Sequence, residues 1–235
     1  ELVKIMQREG LSDDEIDQVL EAKNFDPGQK NAITLPKATG AEIGMRTKLF
    51  KKLNIGIAAW YLHLQKEYVY VGDGGFTELS NPTERIGADL EARMKINEWL
   101  WADLDICLSN GKILNKPQNE NNIPLAPRIT STGGLSFIDL HGFNGMIRYT
   151  FIGDRPANED NTVVASGYTV VNFGLSYTWN AFTISTTIEN VLNTEWNEAQ
   201  FDTESRMPWE SESVSEIHFT PGNPRNIQFG VAYKF

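Results

Sequence analysis

Between Glu195 and Thr220 the chain gathers seven carboxylates, Glu195, Glu198, Asp202, Glu204, Glu210, Glu212 and Glu216, against Arg206 alone, a net charge of −6. Trp196, Phe201, Trp209, His218 and Phe219 are interspersed among them. Carboxylates and an imidazole suit a cationic or metal-bearing ligand, and indole rings stack on it. The segment reads as a solvated acidic loop that meets divalent cations, or as a loop that captures a ligand. In the second reading the contact residues are Trp196, Glu198, Asp202, Glu204, Trp209 and His218. Catalytic chemistry is not signalled. His63, His141 and His218 are far apart in sequence. There is no G-x-S-x-G, no H-E-x-x-H and no P-loop. No cofactor is expected.

Two other polar segments read as loop geometry, Asp154–Asp160 and the tight Asp73-Gly74-Gly75. The cluster Asp13, Asp14, Glu15 and Asp17 invites a calcium reading. It lacks the D-x-[DN]-x-[DN]-G spacing, and acids at a helix start are explanation enough. Ser12-Asp13-Asp14-Glu15 fits a capping box, with Ile16, Val19 and Leu20 on one helical face and a turn at Asp26-Pro27-Gly28. Residues 1–36 are expected to form an extracellular loop with a short helix.

The elements that would carry these loops follow from period-two alternation. In Asn226–Phe235, residues Ile227, Phe229, Val231, Tyr233 and Phe235 fall on one face, and Asn226, Gln228, Gly230, Ala232 and Lys234 on the other. About ten residues of such a strand cross a bilayer at a tilt of about 45°. The pattern recurs over 39–50, 53–71, 86–96, 100–109, 129–137, 143–151, 171–179 and 182–189, which makes nine strands. Charges such as Asp89, Glu91, Arg93, Asp103, Asp105, Arg148 and Glu189 keep to the polar face. The connectors alternate in length: short at 51–52, 97–99, 139–142 and 180–181, long at about 72–83, 110–126, 153–166 and 194–223. Bacterial barrels join strands by short periplasmic turns and long extracellular loops. Tyr168, Tyr177, Trp179, Phe151, Phe143, Trp99 and Phe235 fall near strand ends, where amphipathic rings sit at headgroup depth.

Composition agrees with this reading. The 235 residues are 40% apolar, and no run approaches the ~20 apolar residues of a membrane helix. Barrel strands average out to polar. The net charge of −10, with no basic patch, argues against a nucleic-acid partner. The single Cys107 excludes an internal disulfide. The chain opens at Glu1 without Met, basic n-region or apolar h-region, so a signal peptide is absent or removed. Nine is an odd count where bacterial barrels are even, so further strands are expected upstream.

Several ordered motifs carry a resemblance. The penultimate strand continues as Ile188-Glu189-Asn190-Val191-Leu192-Asn193, the last is introduced by Pro221-Gly222-Asn223-Pro224-Arg225, and the chain closes on Phe235. Upstream stand Glu42-Ile43-Gly44, Gly87-Ala88-Asp89-Leu90-Glu91 and Pro124-Leu125-Ala126-Pro127-Arg128. Over 37–235 the set resembles the C-terminal barrel strands of TonB-dependent outer-membrane receptors. The resemblance implies an all-β, antiparallel transmembrane barrel of about 22 strands with a plugged lumen. It implies contact with outer-membrane lipid and lipopolysaccharide, energy from the TonB–ExbB–ExbD complex through a plug, and a small-molecule or metal-chelate substrate. A siderophore, cofactor or saccharide would serve. A passive porin-like or structural barrel is the alternative, and an outer-membrane hydrolase a lesser one.

Overall fold

The computed structural model describes residues 36–71 and 76–235. The helix expected at 12–20, its acidic cluster and Asp73-Gly74-Gly75 lie outside the described residues. Fifteen strands follow in chain order: β1 (Ala38–Leu49), β2 (Leu53–Leu64), β3 (Tyr68–Val71), β4 (Phe76–Leu79), β5 (Thr83–Lys95), β6 (Leu100–Ile113), β7 (Ile129–Leu140), β8 (Phe143–Ile152), β9 (Arg155–Pro156), β10 (Val164–Ala165), β11 (Tyr168–Trp179), β12 (Phe182–Glu189), β13 (Asn197–Ser205), β14 (Val214–Pro221) and β15 (Asn226–Tyr233). There is no helix among the described residues. Nine strands form one antiparallel sheet in the order β1-β2-β5-β6-β7-β8-β11-β12-β15. The sheet is not closed on itself. β1 and β15 are its edges, each paired on one side only.

The connectors fall into two sets at opposite ends of the sheet. Residues 50–52, 96–99, 141–142 and 180–181 make short turns, and 65–82, 114–128, 153–167 and 190–225 make the long connections. Three of the short turns use left-handed backbone, at Phe50 and Lys51, at His141 and Gly142, and at Asn180. Antiparallel hairpins with two-residue loops favour such primed turns. Ala38 pairs with Leu64, which leads into a long connection. The chain therefore enters β1 at the long-connector end.

Sequence pattern and structure differ in two places. The aromatic run 53–71 is not one strand. It breaks after Leu64, because Glu67 leaves the ladder to bind Arg85 at 2.7 and 2.9 Å and the Thr83 hydroxyl at 2.8 Å. The long connections also carry their own pairing: β3 with β4, β9 with β10, and β13 with β14. Segments of this size without structure of their own are uncommon.

The register sorts the side chains. One face carries Ile43, Ile57, Ile86, Ile147, Ile184, Ile227, Phe229 and Val231, all large, apolar and exposed. Phe229, at 82% exposure, and Val231, at 76%, are left almost uncovered by the described chain. The opposite face carries most of the charges; Glu84 and Lys112 share the apolar face only near the long-connector end. A soluble sandwich would turn those apolar residues onto a second layer. Here the buried apolar residues, Ile113, Ile123, Ala157, Ala165 and Val170, all lie at or near the long-connector end. Tyr149, on the apolar face, satisfies its hydroxyl on Ser131 Oγ at 2.7 Å, and Ser131 donates to the Asp105 carbonyl at 2.9 Å. A hydroxyl set among apolar side chains needs such a partner. At the short-turn end the rings cluster, Phe143 with Tyr177 at 4.4 Å, Phe182 with Tyr233 at 4.8 Å and Tyr233 with Phe235 at 5.1 Å.

Candidate functional site: inner wall and mouth

The polar face is a lattice of paired charges. Arg93 binds Asp105 in bidentate fashion at 2.9 and 2.8 Å, with Glu91 at 3.6 Å. Arg148 binds Asp103 in the same way at 2.8 and 2.7 Å. Asp103 and Arg148 both stand opposite Gly134 on β7. A Cβ there would lie 3.0 Å from Arg148 Cγ and 2.3 Å from the Ile147 carbonyl. The glycine lets the two side chains meet across its strand. Trp60 donates its indole N–H to Asp89 at 3.0 Å, opposite Cys107 in the ladder. Beside β1 a depression of about 460 Å³ is floored by Gly44, Gly56 and Ala58 and edged by Glu42, Arg46, Asp89 and Glu91.

The long connectors are tied one to the next. The β2–β5 connection holds the start of β5 through Glu67, and Leu114 N–H donates to the Pro82 carbonyl at 2.7 Å. The 114–128 connection meets 153–167 through Lys116–Glu159, through Asn122 on the Glu159 carbonyl at 2.8 Å, and through Leu125 N–H on Pro156 at 2.7 Å. The 153–167 connection then meets the β13–β14 hairpin. Gln200, 3% exposed, accepts from Ser166 N–H at 3.0 Å and donates to the Ser166 carbonyl at 2.9 Å. Asn158 donates to Asp202 at 3.0 Å. In this loop Asp160 accepts from the Thr162 hydroxyl at 2.8 Å and its amide at 3.2 Å, and these bonds hold its carboxyl below the usual aspartate range.

The hairpin base is fixed by Asn190, 2% exposed. Its carbonyl accepts from Thr194 N–H at 2.9 Å, and its amide donates to the Thr194 carbonyl at 2.9 Å and the Asn223 carbonyl at 3.2 Å. Asn223 also receives the Trp196 indole N–H at 3.1 Å, and Trp196 packs on Tyr168 at 4.7 Å. Gly222 is required beneath it, since a Cβ would lie 2.1 Å from the indole.

The six residues singled out from sequence do not converge on one point. Trp196 stands at the hairpin base, and Glu198 is the exposed residue at a bulge between Asn197 and Ala199. Asp202 and Glu204 share one face with Ile217 and Ser215, and Ser215 donates to Asp202 at 2.5 Å. His218 lies on the opposite face, 3.3 Å from Ser205 and 3.7 Å from Glu216. Trp209 lies in the tip beyond both strands, 79% exposed. No group of three His, Cys, Asp or Glu that could hold a metal ion occurs among the described residues. Gln200 and Asn190, which the alternation reasoning did not single out, tie the long connections together at this end. The signal available for Gln200 is a neutral amide inside an otherwise acidic stretch.

Residues 24–191 match a family described as TonB dependent receptor-like, beta-barrel. No curated protein matches the sequence. Among solved structures, the ferric yersiniabactin uptake receptor FyuA from Yersinia pestis is 16% identical at a TM-score of 0.63, over 85% of this chain and 30% of that one. The ferric-catecholate import receptor Fiu from E. coli K12, in its closed form, is 18% identical at 0.64, over 85% and 28%. The copper transporter OprC is 15% identical at 0.62, over 87% and 33%. At these identities the likeness is one of fold. The chain spans about a third or less of those structures.

Proposed function

The chain belongs to the TonB-dependent receptor β-barrel family, and from that premise we propose that it forms part of the wall and mouth of an outer-membrane receptor for energised nutrient uptake. One observation carries the reading. Nine strands turn exposed apolar residues to one side and paired charges to the other, with short turns at one end and structured long connectors at the opposite end. That parity is the geometry of a barrel crossing an outer membrane, with lipid outside and a polar lumen within.

In this reading the apolar face meets outer-membrane lipid and lipopolysaccharide. The charged lattice faces a plug domain, and TonB with ExbB and ExbD supplies the energy. Residues 1–36 lead into β1 from the cell exterior. The mouth meets a small-molecule or metal-chelate substrate, with the hairpin bearing Trp196, Glu198, Asp202, Glu204, Trp209 and His218 as part of its rim. The reading is supported by the fold shared with a ferric yersiniabactin uptake receptor, a ferric-catecholate import receptor and a copper transporter. The test is uptake by the full-length receptor in cells with and without TonB. Accumulation that stops without TonB is the expected result. Equal accumulation in both, with open-channel conductance in planar bilayers, would replace the receptor by a passive pore.

A further inference from the structure

A cavity of about 580 Å³ opens at the base of the β13–β14 hairpin, where the chain leaves β12, re-enters β15 and passes Ser166 and Gly167. Three of its walls are flat and apolar: Trp196, Phe219 and Pro221. Three of its polar side chains, on Thr194, Glu195 and Asn197, have no hydrogen-bond partner among the described residues. No lysine, arginine or histidine lines it.

We propose that this cavity binds a neutral, polyhydroxylated ring, a saccharide unit of the imported substrate. The proposal rests on the uptake reading above and names its substrate class. Trp196 has spent its indole N–H on Asn223 and is steadied by Tyr168, so what it offers the cavity it lines is apolar aromatic surface. The negative face of an aromatic ring accepts the weakly positive C–H groups that line one side of a pyranose. The hydroxyls around that ring each donate and accept. They match a carboxylate that only accepts, an amide that does both and a hydroxyl that does both. Few convergent polar groups on apolar walls are how such pockets fix a small ligand. An anionic chelate would find no counter-charge here, and a bare metal ion would find one carboxylate and no nitrogen ligand. Gly222 keeps the floor open for the indole, because any side chain would strike it.

The experiment uses the purified full-length receptor in detergent. It is screened against an array of neutral gluco-, manno-, galacto- and xylo-oligosaccharides, with spermidine and ferric citrate as cationic and anionic probes. The expected result is saturable binding of at least one oligosaccharide, weakened tenfold or more by Trp196→Ala and less by Trp196→Phe. Asn197→Ala and Glu195→Gln, whose side chains hold nothing else in place, weaken the same binding severalfold. Met207→Ala, at the hairpin tip, leaves it unchanged. Absence of binding to every neutral oligosaccharide overturns the proposal, as does affinity that survives Trp196→Ala and Asn197→Ala, or binding of spermidine or ferric citrate that those variants abolish. Binding needs no energy source. Failure here with TonB-dependent uptake of another solute intact would reject the saccharide and leave the receptor standing.

Discussion

Gln200→Ala should loosen the β13–β14 hairpin from the 153–167 connector without unfolding the wall. The side chain is 3% exposed and makes a reciprocal pair with one residue, taking Ser166 N–H at 3.0 Å and giving to its carbonyl at 2.9 Å. A net contribution of about 1 kcal/mol per hydrogen bond gives about 2 kcal/mol for the pair. Ser166 itself is exposed, so water recovers part of its lost bonding and keeps the cost from rising toward the full desolvation penalty. About 2 kcal/mol is a change of roughly thirtyfold in an opening equilibrium, at 1.4 kcal/mol per tenfold. Hydrogen exchange on the full-length receptor reads this directly. The Ser166 amide and the amides of β13 should exchange roughly thirtyfold faster, while those of β11 and β12 stay unchanged. Gln200→Glu, which keeps the acceptor and loses the donor, should fall between. A Ser166 amide whose exchange moves less than twofold in Gln200→Ala would refute the clamp and leave the hairpin held by the Asn158–Asp202 bond or by packing.

Val231→Arg, on the apolar face of β15, should destabilise by about 2–4 kcal/mol if that residue sits near the bilayer midplane, whereas Gln228→Lys on the polar face should cost little; urea unfolding in micelles separates them, and equal costs would contradict the facing. Asp103→Ala should cost about 1 kcal/mol, because its Arg148 partner is 39% exposed and remains hydrated; a loss of about 3–5 kcal/mol would mean a dry interior on that face. Gly222→Ala should displace the Trp196 indole from Tyr168 at a cost of about 1–3 kcal/mol, read as a shift in tryptophan emission and a lower melting temperature. The Asp160 carboxyl is held below the usual aspartate range by Thr162. Its bonds are therefore present above the unfolded value and lost as pH falls through the folded one. Protection of the Thr162 amide should persist through the ordinary aspartate range and fail only below it.

What sequence reveals here depends on whether a local pattern or a distant pair decides the structure. β15, β12, β11, β8 and β5 are readable because period-two alternation is local, and the connectors are readable because their lengths alternate. The break at Gln65 is not, because it depends on Glu67 reaching Thr83 and Arg85, residues sixteen and eighteen positions on. The charged face is readable as charged, but the pairing of Arg148 with Asp103, 45 residues apart, depends on a register that places both beside Gly134. Asn190 stands inside the motif that carried the resemblance. Its part in tying Thr194 to Asn223 emerges only when the hairpin closes. The six mouth residues were chosen by chemistry along a line. Pairing of β13 with β14 then sent Asp202 and Glu204 to one face and His218 to the other.

The distribution of packing separates the two jobs of the chain. Along the wall the large apolar residues stay exposed on one face and the charge pairs line the other. The buried apolar residues, Ile113, Ile123, Ala157, Ala165 and Val170, lie instead at or near the long-connector end, where Gln200 and Asn190 are buried too. Interiors packed in this way resist deformation. The β13–β14 hairpin is tied to this end by the Gln200–Ser166 pair and by the Asn190 bonds at its base. Specificity in such a mouth lies in which side chains the rim presents, so exchanging Trp196 or Asn197 should change what is bound, while exchanging Gln200 should change how firmly the rim is held.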